Sequence, residues 1–279
     1  MRFLTFILLA ALPQLLAAHP TLKQQEDSLK VAIRRVAAMQ DTVKKLALNR
    51  AFSDLFGQSL AAAGGFDYPF DSVPYLYRAA SEDKRVRVIT WTVPVKGAYR
   101  YFGFVQMREN RKSPVHRVVA LTDVRIPTPL AVQEVLAPRE WFGALYTEVV
   151  EKRHEQKTYY TLLGLSLNDE RTTKKVVDVL CIQADSVVFG APIFERKKKP
   201  VQYRMIFEYS ARSVMQLKYN KKLEVIAFSA LESLYPQLRG QYEYYVAGDS
   251  YDGLKFEQGK WNYVEKVKVP SDVKRKVRR

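Results

Sequence analysis

The stretch RVRVITWTVPVKGAYRYFGFVQM, residues 85–107, decides the fold class of this chain. Residues 85–93 partly alternate polar with apolar side chains and are rich in β-branched and aromatic residues, a pattern typical of a β-strand. Residues 94–97 have the composition of a turn, and residues 99–107 continue as a second strand. The stretch therefore predicts a β-hairpin within a β-rich body.

Similar short strands follow along the chain, separated by turns that carry Gly, Asn, Asp and Lys. Most of these turns are too short to hold a crossover helix, so the pattern favours an antiparallel meander, open or barrel-like, over a parallel sheet. This antiparallel domain is predicted over residues 66–265. Its further strands are predicted at residues 117–123, 142–150, 158–163, 175–182, 186–189, 203–209, 214–219, 223–228, 242–246, 254–256 and 261–264, with a short helix within 127–138. Residues 142–150 could also be helical, but the sequence GALY at 143–146 favours a strand.

Residues 19–65 are predicted to be a helical segment. Apolar residues recur at a period of three to four between Leu22 and Ala63, and Gly64-Gly65 provides a helix stop. The segment is either one long helix or a helical hairpin broken near Leu48-Asn49, and we expect it to pack on the domain's own sheet. The predicted fold class is α+β and mainly β, with the helical segment preceding the large antiparallel meander.

The first 18 residues are predicted to be a secretory signal peptide. Arg2 supplies a positive start, residues 3–12 are apolar, Pro13 breaks the helix, and small residues follow at Ala17-Ala18. An uncleaved membrane anchor is the alternative, but a spanning helix needs about 20 apolar residues and this stretch is shorter. The expected location is therefore the periplasm or the cell exterior, with no transmembrane span after cleavage.

The chain is strongly basic, with a formal net charge of +16 over 279 residues. The signal segment contains one arginine and no acid, so the mature chain keeps +15. Such a charge favours polyanions, and in an exported protein the expected partners are anionic envelope lipids or glycans. Nucleic acid is not expected, because the basic runs lack interleaved aromatic residues and glycines.

Two basic runs are the predicted polyanion contacts, with a solvated loop and a frayed terminus as the alternative interpretation. The second run lies in a tail, residues 266–279, that is predicted to be disordered. The predicted contact residues are Arg196, Lys197, Lys198, Lys199, Lys274, Arg275, Lys276, Arg278 and Arg279.

No metal or cofactor is predicted. The single cysteine, Cys181, excludes an internal disulfide and is expected to be a buried structural thiol. The histidines His19, His116 and His154 are not spaced for a zinc site. The acidic loop from Gly248 to Gly253 could offer oxygen ligands to Ca²⁺, but a hairpin turn is favoured.

The function predicted first is an exported, non-enzymatic binding or structural domain of the bacterial periplasm or cell surface. The alternative is an envelope glycan hydrolase, because paired carboxylates can perform that chemistry. Trp91, Tyr101 and Tyr160 could stack on a sugar but are more often core residues. The candidate carboxylates, all on predicted strands, are Glu148, Asp178, Glu208, Glu224 and Glu243.

Several aromatic stretches together resemble a group of uncharacterised exported proteins from Bacteroidota-type bacteria. The resemblance runs from about Phe66 to Val264, and it implies export and a lineage but no activity. The loop at 165–170, LSLNDE, has fewer Asp and Gly residues than the resemblance leads us to expect, which weakens a metal site there. The stretches that carry the resemblance are FDYPF (66–70), YRYFGF (99–104), WFGALY (141–146), YYTLLG (159–164), FGAPIF (189–194) and IFEYS (206–210).

Overall fold

A computed structural model of the chain describes residues 20–124 and 126–269. The predicted signal peptide and the basic residues 274–279 lie outside the described residues. No helix within the described ranges is long and apolar enough to cross a membrane.

Two helices come first, α1 (Leu22–Ala38) and α2 (Thr42–Ala61), and they pack against each other as a helical hairpin.

The position predicted for the break in the helical segment is wrong, because Leu48-Asn49 lies inside α2. The chain breaks instead at Met39–Asp41, where the Asp41 carboxylate accepts the backbone N–H of Lys44 and caps α2. A side chain that satisfies a free N–H group at a helix start stabilises that start. No proline or glycine lies at Met39–Asp41. The period of the apolar residues alone does not reveal a helix break there.

The described residues form fourteen strands in three open sheets, together with a short helix α3 (Thr128–Ala131). The prediction of a mainly β, antiparallel α+β fold is confirmed, although the meander is divided among three sheets. The strands are β1 (Tyr77–Ala80), β2 (Val86–Val95), β3 (Ala98–Met107), β4 (Arg117–Thr122), β5 (Leu145–His154), β6 (Lys157–Ser166), β7 (Thr172–Gln183), β8 (Ser186–Phe189), β9 (Phe194–Glu195), β10 (Met205–Ser210), β11 (Leu217–Asn220), β12 (Val225–Ser233), β13 (Tyr245–Glu257) and β14 (Lys260–Val264).

The helix-side sheet has the order β1-β2-β3-β4, and the middle sheet has the order β10-β7-β6-β5 with β8 also paired to β7. The outer sheet has the order β11-β12-β13-β14-β9. Its last pair is parallel, with Trp261 of β14 opposite Phe194 of β9. Every other strand pair is antiparallel within the described residues.

The hairpin turn predicted from Gly248 to Gly253 is wrong, because this segment lies inside β13. Two predicted strands on either side of it merge into one, paired along the length of β12. A β-bulge between Ser229 and Leu231 accommodates the irregular register. Gly253 fits because a Cβ there would lie 2.5 Å from Cγ1 of Val225 on the neighbouring strand. Cross-strand pairing therefore overrides the local turn composition.

The elements stack in four layers: the helix pair, the helix-side sheet, the middle sheet and the outer sheet. Each gap between layers holds one hydrophobic cluster. Successive residues of a strand point to opposite faces and therefore belong to different clusters. In β2, Val88 faces the middle sheet and Ile89 faces the helices. Both faces of the middle sheet are buried in the same way. On β6, Leu162 belongs to the cluster on one side of the sheet and Leu163 to the cluster on the other.

One tryptophan lies in each gap, and each indole N–H donates to a side chain. Trp91 donates to Asn49 on α2 at 2.8 Å, and Trp261 donates to Thr161 on β6 at 2.9 Å. Trp141 donates to the Tyr146 hydroxyl at 3.1 Å. All three rings are fully buried. A buried indole N–H without an acceptor costs free energy, so each bond fixes how two elements meet.

A fully buried ion pair lies between the helix-side and middle sheets. Nε of Arg204 donates to the Asp178 carboxylate at 3.1 Å, and both side chains have no exposed surface. The guanidinium also donates to backbone carbonyls of Ala131, Glu134 and Phe189, which anchors the connection before β5. The sequence-based hypothesis that Asp178 is a catalytic acid is therefore replaced by a structural role.

We predict that Asp178→Asn destabilises the protein by about 3–5 kcal/mol, because it leaves the Arg204 charge buried without its counter-ion. Asp185→Asn is the matched control, since Asp185 forms an exposed ion pair with Arg117. Urea unfolding of the two variants at pH 7 measures the difference. Equal unfolding midpoints for Asp178→Asn and the control would contradict this role of the buried pair.

Candidate ligand-binding groove

One cavity of about 740 Å³ lies at one end of the layered stack, where turns of all three sheets converge. We call it the basic groove. Its walls are formed by five segments: the turn before β2, the β5–β6 turn, the end of β7, the β8–β9 loop and the β13–β14 turn. Its lining residues are Arg85, His154, Gln156, Lys157, Thr158, Tyr159, Tyr160, Cys181, Ile182, Gln183, Ala191, Pro192, Ile193, Gln258, Gly259 and Lys260.

Every charged residue that lines the basic groove is a cation. Arg85, Lys157 and Lys260 contribute positive charge, and no Asp or Glu belongs to the lining. Lys260 forms an ion pair with Glu195 just outside the groove. Arg85 and Lys157 form no ion pair with any described residue. The groove therefore carries a positive potential that a bound anion can neutralise.

Arg85 is positioned by a network around Asp83 in the preceding turn. The Asp83 carboxylate accepts the Arg85 backbone N–H at 2.9 Å and the Tyr160 hydroxyl at 2.8 Å. Burial acts to raise the pKa of Asp83, but hydrogen bonds from Ser81, Arg85 and Tyr160 outweigh it and lower that pKa. The ionised carboxylate ties the β1–β2 turn to β6. This tie places Arg85 at the groove.

The His154 ring closes the groove against the β13–β14 turn. Gly259 has a φ of +78°, and a Cβ at this position would lie 2.5 Å from Cδ2 of His154. Glycine is required here both for the left-handed backbone and for the close approach of the ring. The turn in this form brings Lys260 into the lining of the groove, to which Lys157 also belongs.

The floor of the basic groove is apolar. Tyr159 and Cys181 belong to the cluster between the middle and outer sheets, and Ile193 is a buried member of it. The Tyr159 ring lies 6.2 Å from the ring of Phe256, centroid to centroid. Ile182 also lines the groove, at the end of β7, although it packs against the cluster on the other face of the middle sheet. The groove thus lies at the end of the middle sheet, where side chains of both neighbouring clusters reach the surface.

The predicted contact residues Arg196, Lys197, Lys198 and Lys199 lie in an exposed turn immediately after β9. The Arg196 guanidinium stacks 4.4 Å from the centre of the Tyr263 ring on β14. β14 begins at Lys260, so the run shares a sheet edge with one wall of the groove. Its contact with a polyanion stays a prediction, as does that of Lys274, Arg275, Lys276, Arg278 and Arg279.

Sequence reasoning missed the groove cations because they come from three turns far apart in the chain. One signal was present. The sequences Glu155-Gln156-Lys157 and Glu257-Gln258-Gly259-Lys260 share an order of residues, and both form tight turns with left-handed residues. Both turns deliver a lysine to the groove.

A second cavity, of about 560 Å³, lies where the edge strands β1, β5 and β11 meet. We call it the acidic cleft. It brings together two of the candidate carboxylates, Glu148 and Glu224, with Glu82 and Glu151. Burial raises the pKa of Glu148, whose carboxylate accepts the backbone N–H of Tyr219 at 3.2 Å.

The other three glutamates of the cleft are already engaged. Glu224 pairs with Lys152 at 3.3 Å, Glu82 pairs with Lys221, and Glu151 accepts the backbone N–H of Asp83. Lys152 and Lys221 also line the cleft, so its charges are mixed. All four carboxyl groups of the cleft therefore have a donor nearby, and Glu148 is the one whose pKa is raised.

The remaining candidates are placed elsewhere. Glu208 binds Thr172 and Lys174, while Glu243 lies near Arg171. The prediction that all five acids lie on strands is wrong for Glu224, which is in a turn, and for Glu243, which is in a 3-10 helix. The aromatic residues Trp91, Tyr101 and Tyr160 are buried core residues, and His116 binds the carbonyl of Leu60 at the end of α2.

Within the described residues, no group of three or more His, Cys, Asp or Glu side chains is arranged to hold a metal ion. No family model matches the chain, and searches of the curated proteins and of the solved structures return no match. The resemblance to exported Bacteroidota-type proteins therefore stays a prediction.

Cys181 gives a direct probe of the groove, since it is the chain's one cysteine and lines the floor half-buried. Burial raises the pKa of this thiol to about 11. The thiolate is the reactive form, so we predict that alkylation by iodoacetamide rises about tenfold per pH unit between pH 7 and pH 10. In the protein unfolded by urea, the alkylation rate should stop rising above the ordinary cysteine pKa of about 8.5. A plateau near pH 8.5 in the folded protein would contradict this assignment.

Proposed function

We propose that this chain is an exported, non-enzymatic binding protein for an anionic, phosphate-bearing component of the bacterial envelope. The basic groove is its binding site. The predicted signal peptide and the net charge of +15 expected for the mature chain support this proposal. The observation that carries it is the groove lining, which gathers Arg85, Lys157 and Lys260 and contains no acid.

The groove suits an anion for electrostatic reasons. Like charges gathered in a concave surface with low-dielectric walls reinforce each other's potential and attract counter-ions. Arg85 adds a planar set of donors that matches phosphate oxygens, whereas Lys157 and Lys260 act as point charges. The exposed run 196–199, beside β14, then extends the positive surface outward from the groove.

We predict that neutralising two groove lysines, Lys157→Gln with Lys260→Gln, weakens binding to vesicles that contain phosphatidylglycerol by about 30-fold. Each lysine near an anionic surface contributes about 1 kcal/mol, and two such losses give this factor. Vesicle co-sedimentation of the mature chain at 0.1 M salt measures it. Phosphatidylcholine vesicles should bind neither protein.

The matched control is Lys30→Gln with Lys112→Gln, which changes the net charge equally but alters α1 and the β3–β4 loop. We expect it to bind within a few-fold of the unaltered protein. If both double variants lose affinity equally, binding reflects net charge and the groove is not the site. Neutralising residues 196–199 together tests the run separately, and full binding by that variant would remove the run from the proposal.

A second candidate function, envelope glycan hydrolysis, is favoured by the acidic cleft. A carboxyl group whose pKa is raised by burial is what a general acid requires, and Glu148 has this property. Release of reducing sugar from peptidoglycan that is lost in Glu148→Gln but kept in the exposed-site control Glu109→Gln would support it. No release by the unaltered chain would dismiss it.

A further inference from the structure

The basic groove joins two chemistries that a simple anion does not use together. Its cations lie on the surrounding turns, while Tyr159, Cys181, Ile182 and Ile193 form the floor between them. A free phosphate would satisfy the cations and leave the floor in contact with water. A neutral chain would cover the floor and leave Arg85 and Lys157, which form no ion pair with any described residue, without a bound anion. Only a molecule with both parts matches the whole lining.

Arg85 indicates where the charged part lies. Its Nε is buried and has no hydrogen-bond partner among the described residues. A buried guanidinium N–H that lacks an acceptor costs free energy, and such a group calls for an explanation in a native structure. Its backbone is fixed by Asp83, so the side chain remains available to a ligand. The other N–H groups of this guanidinium also donate to no described residue and are not buried, so a phosphate oxygen in the groove can accept from them.

The apolar floor indicates what the rest of the ligand is. Tyr159 and Cys181 are continuous with the cluster between the middle and outer sheets, so a ligand that covers them extends an existing hydrophobic core. The volume, about 740 Å³, falls within the range of small-molecule sites. It is large enough for one amphiphile and too small for a folded partner.

We infer that the ligand is a single anionic lipid, with its phosphate at Arg85, Lys157 and Lys260 and its hydrocarbon chain along the floor formed by Tyr159, Cys181, Ile182 and Ile193. This inference rests on the proposed function and names its ligand class. The protein then binds a lipid monomer in the groove, in addition to any contact of the exposed run with a membrane surface.

The test is a series of alkyl phosphates of eight, ten and twelve carbons, each kept below its micelle concentration and titrated into the mature chain by calorimetry. Glycerol 3-phosphate supplies the head without the chain, and dodecyl maltoside supplies the chain without the charge. Affinity should rise by up to about fourfold for each added methylene, the factor expected for burying a CH₂ group. Dodecyl phosphate should also slow iodoacetamide alkylation of Cys181 at least tenfold at pH 9.

The variant Ile182→Thr tests the floor, with the exposed-site change Val115→Thr as its control. The measured quantity is the ratio of dodecyl phosphate affinity to glycerol 3-phosphate affinity in the same sample, which a partial loss of folded protein does not alter. We expect the ratio to fall at least threefold for Ile182→Thr and to stay unchanged for the control.

The outcomes separate the two claims. Binding of glycerol 3-phosphate as tight as that of dodecyl phosphate overturns the lipid inference and leaves the anion-binding function standing. Equal binding of dodecyl maltoside and dodecyl phosphate also overturns it, because the cations would then have no part. Failure of every phosphate probe and of phosphatidylglycerol vesicles overturns both.

Discussion

Burial of both faces of the middle sheet is the constraint on which the rest of the structure depends. The helix-side sheet covers one face and the outer sheet covers the other, so the central strands β6 and β7 are apolar on both faces over most of their length. The polar exceptions must find partners inside, as Asp178 does with Arg204 and Thr161 does with Trp261. With a single cysteine and no internal disulfide, this layered packing is what stabilises the fold.

The same constraint determines where a ligand can bind. The faces between stacked layers are occupied, so sites within the stack can open only at the edges of the strands and at the ends of the layers. The acidic cleft lies along three edge strands, and the basic groove lies where turns from each sheet meet the open end of a hydrophobic cluster. The cleft's charges largely neutralise one another, whereas the groove has no acid in its lining and leaves Arg85 and Lys157 without an ion pair beside its apolar floor. This contrast is why the groove carries the proposed function.

Much of the architecture could be predicted from the sequence, because residues 85–107 and the later short strands are rich in β-branched and aromatic residues and are separated by short turns. The break between α1 and α2 could not, since Asp41 acts through a capping bond and leaves the apolar period intact. Nor could the continuity of β13 through Gly248–Gly253, which depends on pairing with β12. The groove was missed for a related reason: Arg85, Lys157 and Lys260 become neighbours only when three turns converge. Contiguous basic runs are visible in a sequence, but a convergent site requires the fold.

The most direct test of the central claim, that the basic groove is the binding site, is an amide NMR titration of the mature chain with dodecyl phosphate. We expect saturable shifts concentrated in the turns that carry Arg85, Lys157 and Lys260 and at Cys181 on the floor. Shifts concentrated around Glu148 and Tyr219 in the acidic cleft would contradict it. So would weak shifts spread over all exposed lysines, because they would show that net charge attracts the anion without a defined site.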